Sequence, residues 1–115
     1  MSKERTILDY LEDISGAISD IYTFTQGMSA DGFMADKKTV NAVIRSLEII
    51  GEATGKIPKG VCRRYPDVPW DEVIGMRNRL IHEYFGVDLD IVWQTIKDDL
   101  EPLETAIKAI LTEHS

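Results

Sequence analysis

The stretch ERTILDYLEDISGAISDIYTFTQ, residues 4–26, decides the fold class. Ile7, Leu11, Ile14, Ile18, Ile21 and Thr25 recur every three or four residues, and Leu8 and Tyr22 widen the stripe. That period puts them on one face of an α-helix, whereas a half-buried strand alternates at every second residue. The spacing predicts an amphipathic helix over about residues 4–26. A second helix obeys the same rule through Val40, Val43, Ile44, Leu47, Ile50, Thr54 and Ile57, with Asp36 as its N-cap and Pro58 and Gly60 as its stop. Between the two, GMSADGFMAD (residues 27–36) reads as a loop broken by Gly27 and Gly32.

Further along, GVCRRYPDVP (60–69) holds at most a short helix. Pro69, Asp71 and Glu72 suit the first turn of a third longer helix, about residues 69–84, and Gly86 suits its end. Asp88 can cap a last helix, whose stripe is Leu89, Val92, Trp93, Ile96, Leu100, Leu103, Ile107 and Ile110. Pro102 lies inside that run and must kink or split it, since it lacks a donor and clashes with the preceding turn. No repeat, low-complexity tract or convincing strand appears. The expectation is one all-α domain over residues 1–115: an antiparallel helical bundle of about four to five helices.

Composition narrows the function classes. No apolar run approaches the roughly 20 residues that span a bilayer. MSKERTILDY carries charges where a signal peptide needs an apolar stretch. A cytoplasmic protein with no membrane association is expected. The single cysteine, Cys62, has no disulfide or CxxC partner and reads as a bystander. Net charge is −7, which argues against a broad non-specific nucleic-acid binder. Yet residues 56–79 carry six basic side chains (Lys56, Lys59, Arg63, Arg64, Arg77, Arg79) against three acidic ones, while the segments on either side are acidic. A local cationic cleft fits an anionic ligand; a basic protein partner on the acidic remainder and chance clustering on a solvated surface fit as well.

The cationic segment runs into GMRNRLIHEYFG, residues 75–86. On a helix, Asn78 and His82 are neighbours one turn apart, and Arg79 can pair with Glu83. Arg77 is five residues from His82, about 140° around. Two such helices meeting across a two-fold axis would let Arg77 and His82 of both chains line one cleft. The chemistry coheres: histidine moves a proton near neutral pH, arginine steadies a phosphorane, and the RNA 2′-hydroxyl is a built-in nucleophile. The bland reading is a histidine that merely caps or hydrogen-bonds near a helix end. No metal or cofactor is expected, because His82 with Glu83 lacks a second histidine at ligand spacing and His114 lies in a tail. No Gly-rich phosphate loop or GxSxG elbow appears. Tyr65, Trp70, Tyr84 and Phe85 flank the basic segment as stacking platforms or as core and rim. Asn41, Arg45, Glu48 and Glu52 form a polar stripe on the second helix, a solvated face or part of a subunit interface.

MRNRLIHEYFGVD, together with AVIRSLEIIGEATGKIP and VPWDEVIG, resembles the HepT-like branch of the HEPN superfamily, from about Asp36 to Leu100. The Arg-x4-His-x-Tyr pattern of that family is matched by Arg77, His82 and Tyr84, and Asn78 fits the usual polar residue after the arginine. The resemblance implies a homodimeric helical bundle with Arg and His of both chains in a shared cleft. It implies a metal-independent endoribonuclease, the toxin of a toxin–antitoxin pair, with His82 as acid-base group, Arg77 as phosphate contact and Asn78 orienting them. Lys56, Lys59, Arg63, Arg64 and Arg79 are then candidate RNA contacts. It further implies a partner, an MNT-type nucleotidyltransferase antitoxin, that silences the toxin by moving AMP from ATP to Tyr84. The alternative is a non-catalytic helical binding partner and regulatory substrate of that nucleotidyltransferase. A third reading is a structural dimer whose motif is an interface network.

Overall fold

A computed structural model describes residues 5–82 and 88–114; for Arg77 and residues 79–82 it describes the backbone alone. The described residues form seven helices and no strand: α1 (Ile7–Thr25), α2 (Ala30–Ala35), α3 (Lys37–Thr54), α4 (Lys59–Cys62), α5 (Trp70–His82), α6 (Leu89–Asp98) and α7 (Leu100–His114). The all-helical expectation holds, with more and shorter pieces than the stripes predicted.

Local chemistry sets the boundaries. Thr6 caps α1 in a reciprocal box: the Asp9 amide donates to the Thr6 hydroxyl at 3.3 Å, and the Thr6 amide donates to the Asp9 carboxylate at 2.9 Å. The helix thus starts after Thr6, at Ile7, three residues later than the stripe alone suggests. Gly27, at φ +75°, turns the chain just beyond it. Asp36 caps α3 as expected, accepting the Thr39 amide at 3.2 Å and the Thr39 hydroxyl at 2.9 Å. Those bonds hold its carboxyl below the ordinary range. Asp88 caps α6 by accepting the Asp90 amide at 2.9 Å.

The loop expected over residues 27–36 is in fact half helix. Ser29 accepts the Gly32 amide at 3.1 Å and starts α2, and Gly32 sits inside it instead of breaking it. Six residues are too few to show a period, so the sequence carries no stripe there. Tertiary contact holds α2: Phe33 is fully buried, with its ring 5.1 Å from that of Trp93 on α6. Pro102 splits the last run. The break falls at Asp99, three residues before it, so Pro102 occupies the first turn of α7, where a missing donor is harmless.

The core joins all the long helices. The Leu11, Ile14, Ile18 and Ile21 stripe of α1 is fully buried against α3 and α7. Tyr22, expected to widen that stripe, is instead 38% exposed. α3 lies between α1 and α5, and α6 packs on α2 and α7. Gly55, just past α3, faces Ile74 near the start of α5, while Leu47 and Ile50 share one small void with Val73 and Met76. α5 therefore runs back antiparallel along α3.

Two details of this packing are testable. Thr54 is fully buried on α3, and its hydroxyl finds no hydrogen-bond partner among the described residues. An unpaired buried hydroxyl costs about 1–3 kcal/mol, so Thr54→Val, which keeps the shape and removes the hydroxyl, is expected to raise stability by about that amount in urea unfolding. The Asp99 carboxyl is pushed up by burial and then by the charges of Glu72 and Asp98. A carboxyl raised in the folded state binds its proton more tightly there than in the unfolded chain, so stability falls as pH rises through that interval. Asp99→Asn is expected to be more stable than the parent at pH 7. The gain should shrink on acidification and vanish below the ordinary carboxylate range, as thermal melts at a series of pH values would show.

Candidate functional site

α5 places the motif. Val73 and Met76 bury one side of it against the core, with α3 alongside. At 100° per residue, position 78 falls on the opposite side, and Asn78 is exposed there. Position 82 is one turn further along the same face of the backbone helix, and α5 continues to it. Arg77 and Arg79 are on the same helical segment. Their side chains and that of His82 lie outside the described residues, as does all of Tyr84 and Phe85.

The other cations sit elsewhere. Lys56, Lys59, Arg63 and Arg64 are exposed on α4 and its flanks, where α3 ends and α5 begins. From Trp70 to His82 α5 rises about 18 Å at 1.5 Å per residue. The cationic segment, continuous in sequence, is thus split between the two ends of one helix. Arg64 is partly committed: it lies 2.7 Å from the Glu113 carboxylate on α7. The Tyr65 hydroxyl donates to the same carboxylate at 2.6 Å. These partners hold the Glu113 carboxyl down, the tyrosine bond first and Arg64 after it. The bond to Glu113 likewise pushes the Tyr65 hydroxyl up. Lys56, Lys59 and Arg63 have no carboxylate partner among the described residues.

Between α4 and the start of α5 lies an open groove of about 710 Å³ that the sequence did not reveal. Lys59, Arg63 and Cys62 line one part, and Trp70, Asp71 and Glu72 another. The Trp70 indole donates to the Tyr65 carbonyl at 3.0 Å, which fixes the ring as a wall. Tyr65 and Trp70 both rest against the core cluster, as the core-or-rim reading has it, and Trp70 also lines the groove. Burial pushes the Cys62 thiol up, away from thiolate chemistry at neutral pH. Pro66 and Pro69, both between α4 and α5, were the only local signals of the groove, and they mark a turn, not a cavity. Among the described residues no set of three His, Cys, Asp or Glu side chains could hold a metal ion. No helix there is long and apolar enough to cross a membrane.

Comparison with known proteins matches this helical chain as a whole, not the motif alone. The family model described as "Ribonuclease HepT-like" covers residues 14–110, from α1 to the end of the α7 core. A protein named "Probable ribonuclease HepT" from Thermococcus cleftensis is 50% identical over 101 residues, 88% of this chain and 92% of the relative. A Methanocaldococcus jannaschii protein named as a putative RNase is 42% identical over 96% of this chain and 95% of its own length. Another so named, from Caldanaerobacter subterraneus, is 42% identical over 93% of this chain and 96% of its own. No solved structure matches. With α5 carrying the Arg-x4-His segment on a bundle matched across 14–110, the chain belongs to the HepT-like ribonuclease family.

Proposed function

We propose that the protein is a metal-independent endoribonuclease, acting as a homodimer whose two α5 ends form one cleft. The family match over residues 14–110 carries this reading, and it is supported by the exposed face of α5 at Asn78, one turn before position 82. In the proposed reaction the ribose 2′-oxygen attacks the adjacent phosphorus. His82 takes the 2′-hydroxyl proton and returns a proton to the departing 5′-oxygen. Arg77 offsets the charge that builds on the phosphorane oxygens, and Asn78 orients the imidazole or the hydroxyl. The products are a 2′,3′-cyclic phosphate and a 5′-hydroxyl. No step in this scheme needs a metal.

The biological setting we infer is a toxin–antitoxin pair in the cytoplasm. Tyr84 follows His82 by two residues. A partner nucleotidyltransferase would let the Tyr84 oxygen attack the α-phosphorus of ATP, with pyrophosphate leaving. The new phosphodiester adds charge and bulk beside a phosphate-binding cleft and so excludes RNA. The net charge of −7 favours a second reading, in which the chain is chiefly a partner and regulatory substrate of that enzyme.

Purified protein in EDTA is expected to cleave transfer or messenger RNA. His82→Ala, matched for fold and dimer content, is expected to lose at least about 10²-fold, the low end of what acid-base catalysis supplies. Cleavage by neither protein would favour the partner reading. Tyr84→Phe is expected to cleave like the parent, yet to stay active after incubation with the nucleotidyltransferase and ATP, while the parent is silenced and gains the mass of AMP.

A further inference from the structure

The groove between α4 and α5 is separate from the motif end of the helix and is not used in the proposed chemistry. Its volume, about 710 Å³, lies within the roughly 300–1,000 Å³ of small-molecule sites. Its lining is chemically mixed in a particular way. Lys59 and Arg63 are exposed and have no carboxylate partner among the described residues. Trp70 gives a fixed aromatic surface whose only donor is already engaged. Asp71 and Glu72 add two carboxylates. Two cations against two carboxylates do not suit a bare polyanion. They suit a ligand that has a phosphate at one end and N–H donors at the other, with a flat ring between.

A nucleotide has that form. Arginine and lysine match phosphate oxygens, indole faces stack on any base, and carboxylates accept from exocyclic amino groups. We propose that this groove binds one nucleotide of a single-stranded RNA whose scissile phosphate lies at the motif end of α5, an inference that rests on the ribonuclease reading above. The phosphate sits against Lys59 and Arg63, the base against Trp70, and its amino group toward Asp71 or Glu72. The rise of α5 from Trp70 to His82, about 18 Å, equals about five stacked nucleotides at about 3.4 Å each. The groove thus holds the strand several nucleotides away from the bond that breaks. Uracil, which lacks an exocyclic amino group, fits less well than adenine or cytosine.

Cys62 supplies a local readout, because it lines the groove and is the one cysteine in the chain. The probes are 2′-O-methyl oligonucleotides, which have no free 2′-hydroxyl and so stay intact whether or not the protein is a nuclease. In alkaline buffer, where the Cys62 thiol ionises, saturating oligo(A), with saturation followed by fluorescence anisotropy, is expected to slow alkylation of Cys62 by at least about 5-fold, and oligo(U) to slow it less. The side chains of Lys59 and Arg63 make no ion pair or hydrogen bond among the described residues, so Lys59→Ala/Arg63→Ala is expected to melt like the parent. It should lose the protection and flatten the slope of log affinity against log salt by about 0.7, the share of one phosphate on a single strand. Absence of binding, binding that leaves Cys62 alkylation unchanged, or an unaltered salt slope in the double variant would each overturn the proposal. So would protection of Cys62 by the nucleotidyltransferase and not by RNA. The EDTA cleavage assay reads the nuclease proposal separately: cleavage without Cys62 protection removes the groove and leaves the chemistry standing.

Discussion

Burial of α3 on two sides is the constraint that the other helices answer to. A surface helix of a globular protein buries a stripe little more than about 100° wide. The buried residues of α3 run from Ala53 and Ser46 through Ile50, Thr54, Leu47, Val40 and Gly51 to Ile44. At 100° per residue they cover about 180°. One neighbour cannot cover half a helix, so α3 takes α1 on one flank and α5 on the other. Small side chains at Ser46, Gly51 and Ala53 widen the arc without thickening it, and let neighbouring helices come close.

That arrangement fixes what α5 can show. Val73 and Met76 bury its inner side, so the outer side at Asn78 faces solvent. Because α5 runs antiparallel to α3, its start lies beside the end of α3 and the basic turn that follows, and its end lies as far from that turn as the helix is long. A compact cationic patch, the simplest picture from residues 56–79, is therefore not what a single chain presents. It carries its basic residues at two stations along one helix, which packs against α3.

The sequence disclosed most of this skeleton and less of its connections. The long stripes of α1 and α3 and the caps at Asp36 and Asp88 were legible because period and capping are local properties. α2 was not, because its stability comes from the Phe33–Trp93 contact and not from its own six residues. The full arc of α3 was under-read for a related reason: Ser46 and Ala53 do not count as stripe residues, though the fold buries them. At the candidate site, register alone gave the one-turn relation of positions 78 and 82. The roles of Arg77, His82 and Tyr84 came from resemblance, since spacing puts Arg77 about 140° from His82. The groove was invisible because it joins residues 59–63 to residues 70–72 through a turn whose path no periodicity encodes.

The separation of the two stations also bears on how a chain of net charge −7 can meet RNA. At physiological salt the screening length is about 8 Å, less than half of the roughly 18 Å between the ends of α5. A phosphate near either end responds to the charges within that radius and not to the sum over the molecule. At the groove these are Lys59 and Arg63 against Asp71 and Glu72, equal in formal charge. Of the acidic residues of α6 and α7, Asp99 is close enough to couple to Glu72, and Glu113 pairs with Arg64, while others such as Asp90 and Glu104 add to the net charge. Net charge then governs the approach of RNA at low salt, where repulsion reaches far, while local charge governs what is held once contact is made. On the proposed reading, a body acidic overall with basic residues at both ends of α5 suits a single strand that touches both ends and little between, and the spacing of those ends, not the total charge, becomes the measure of the RNA.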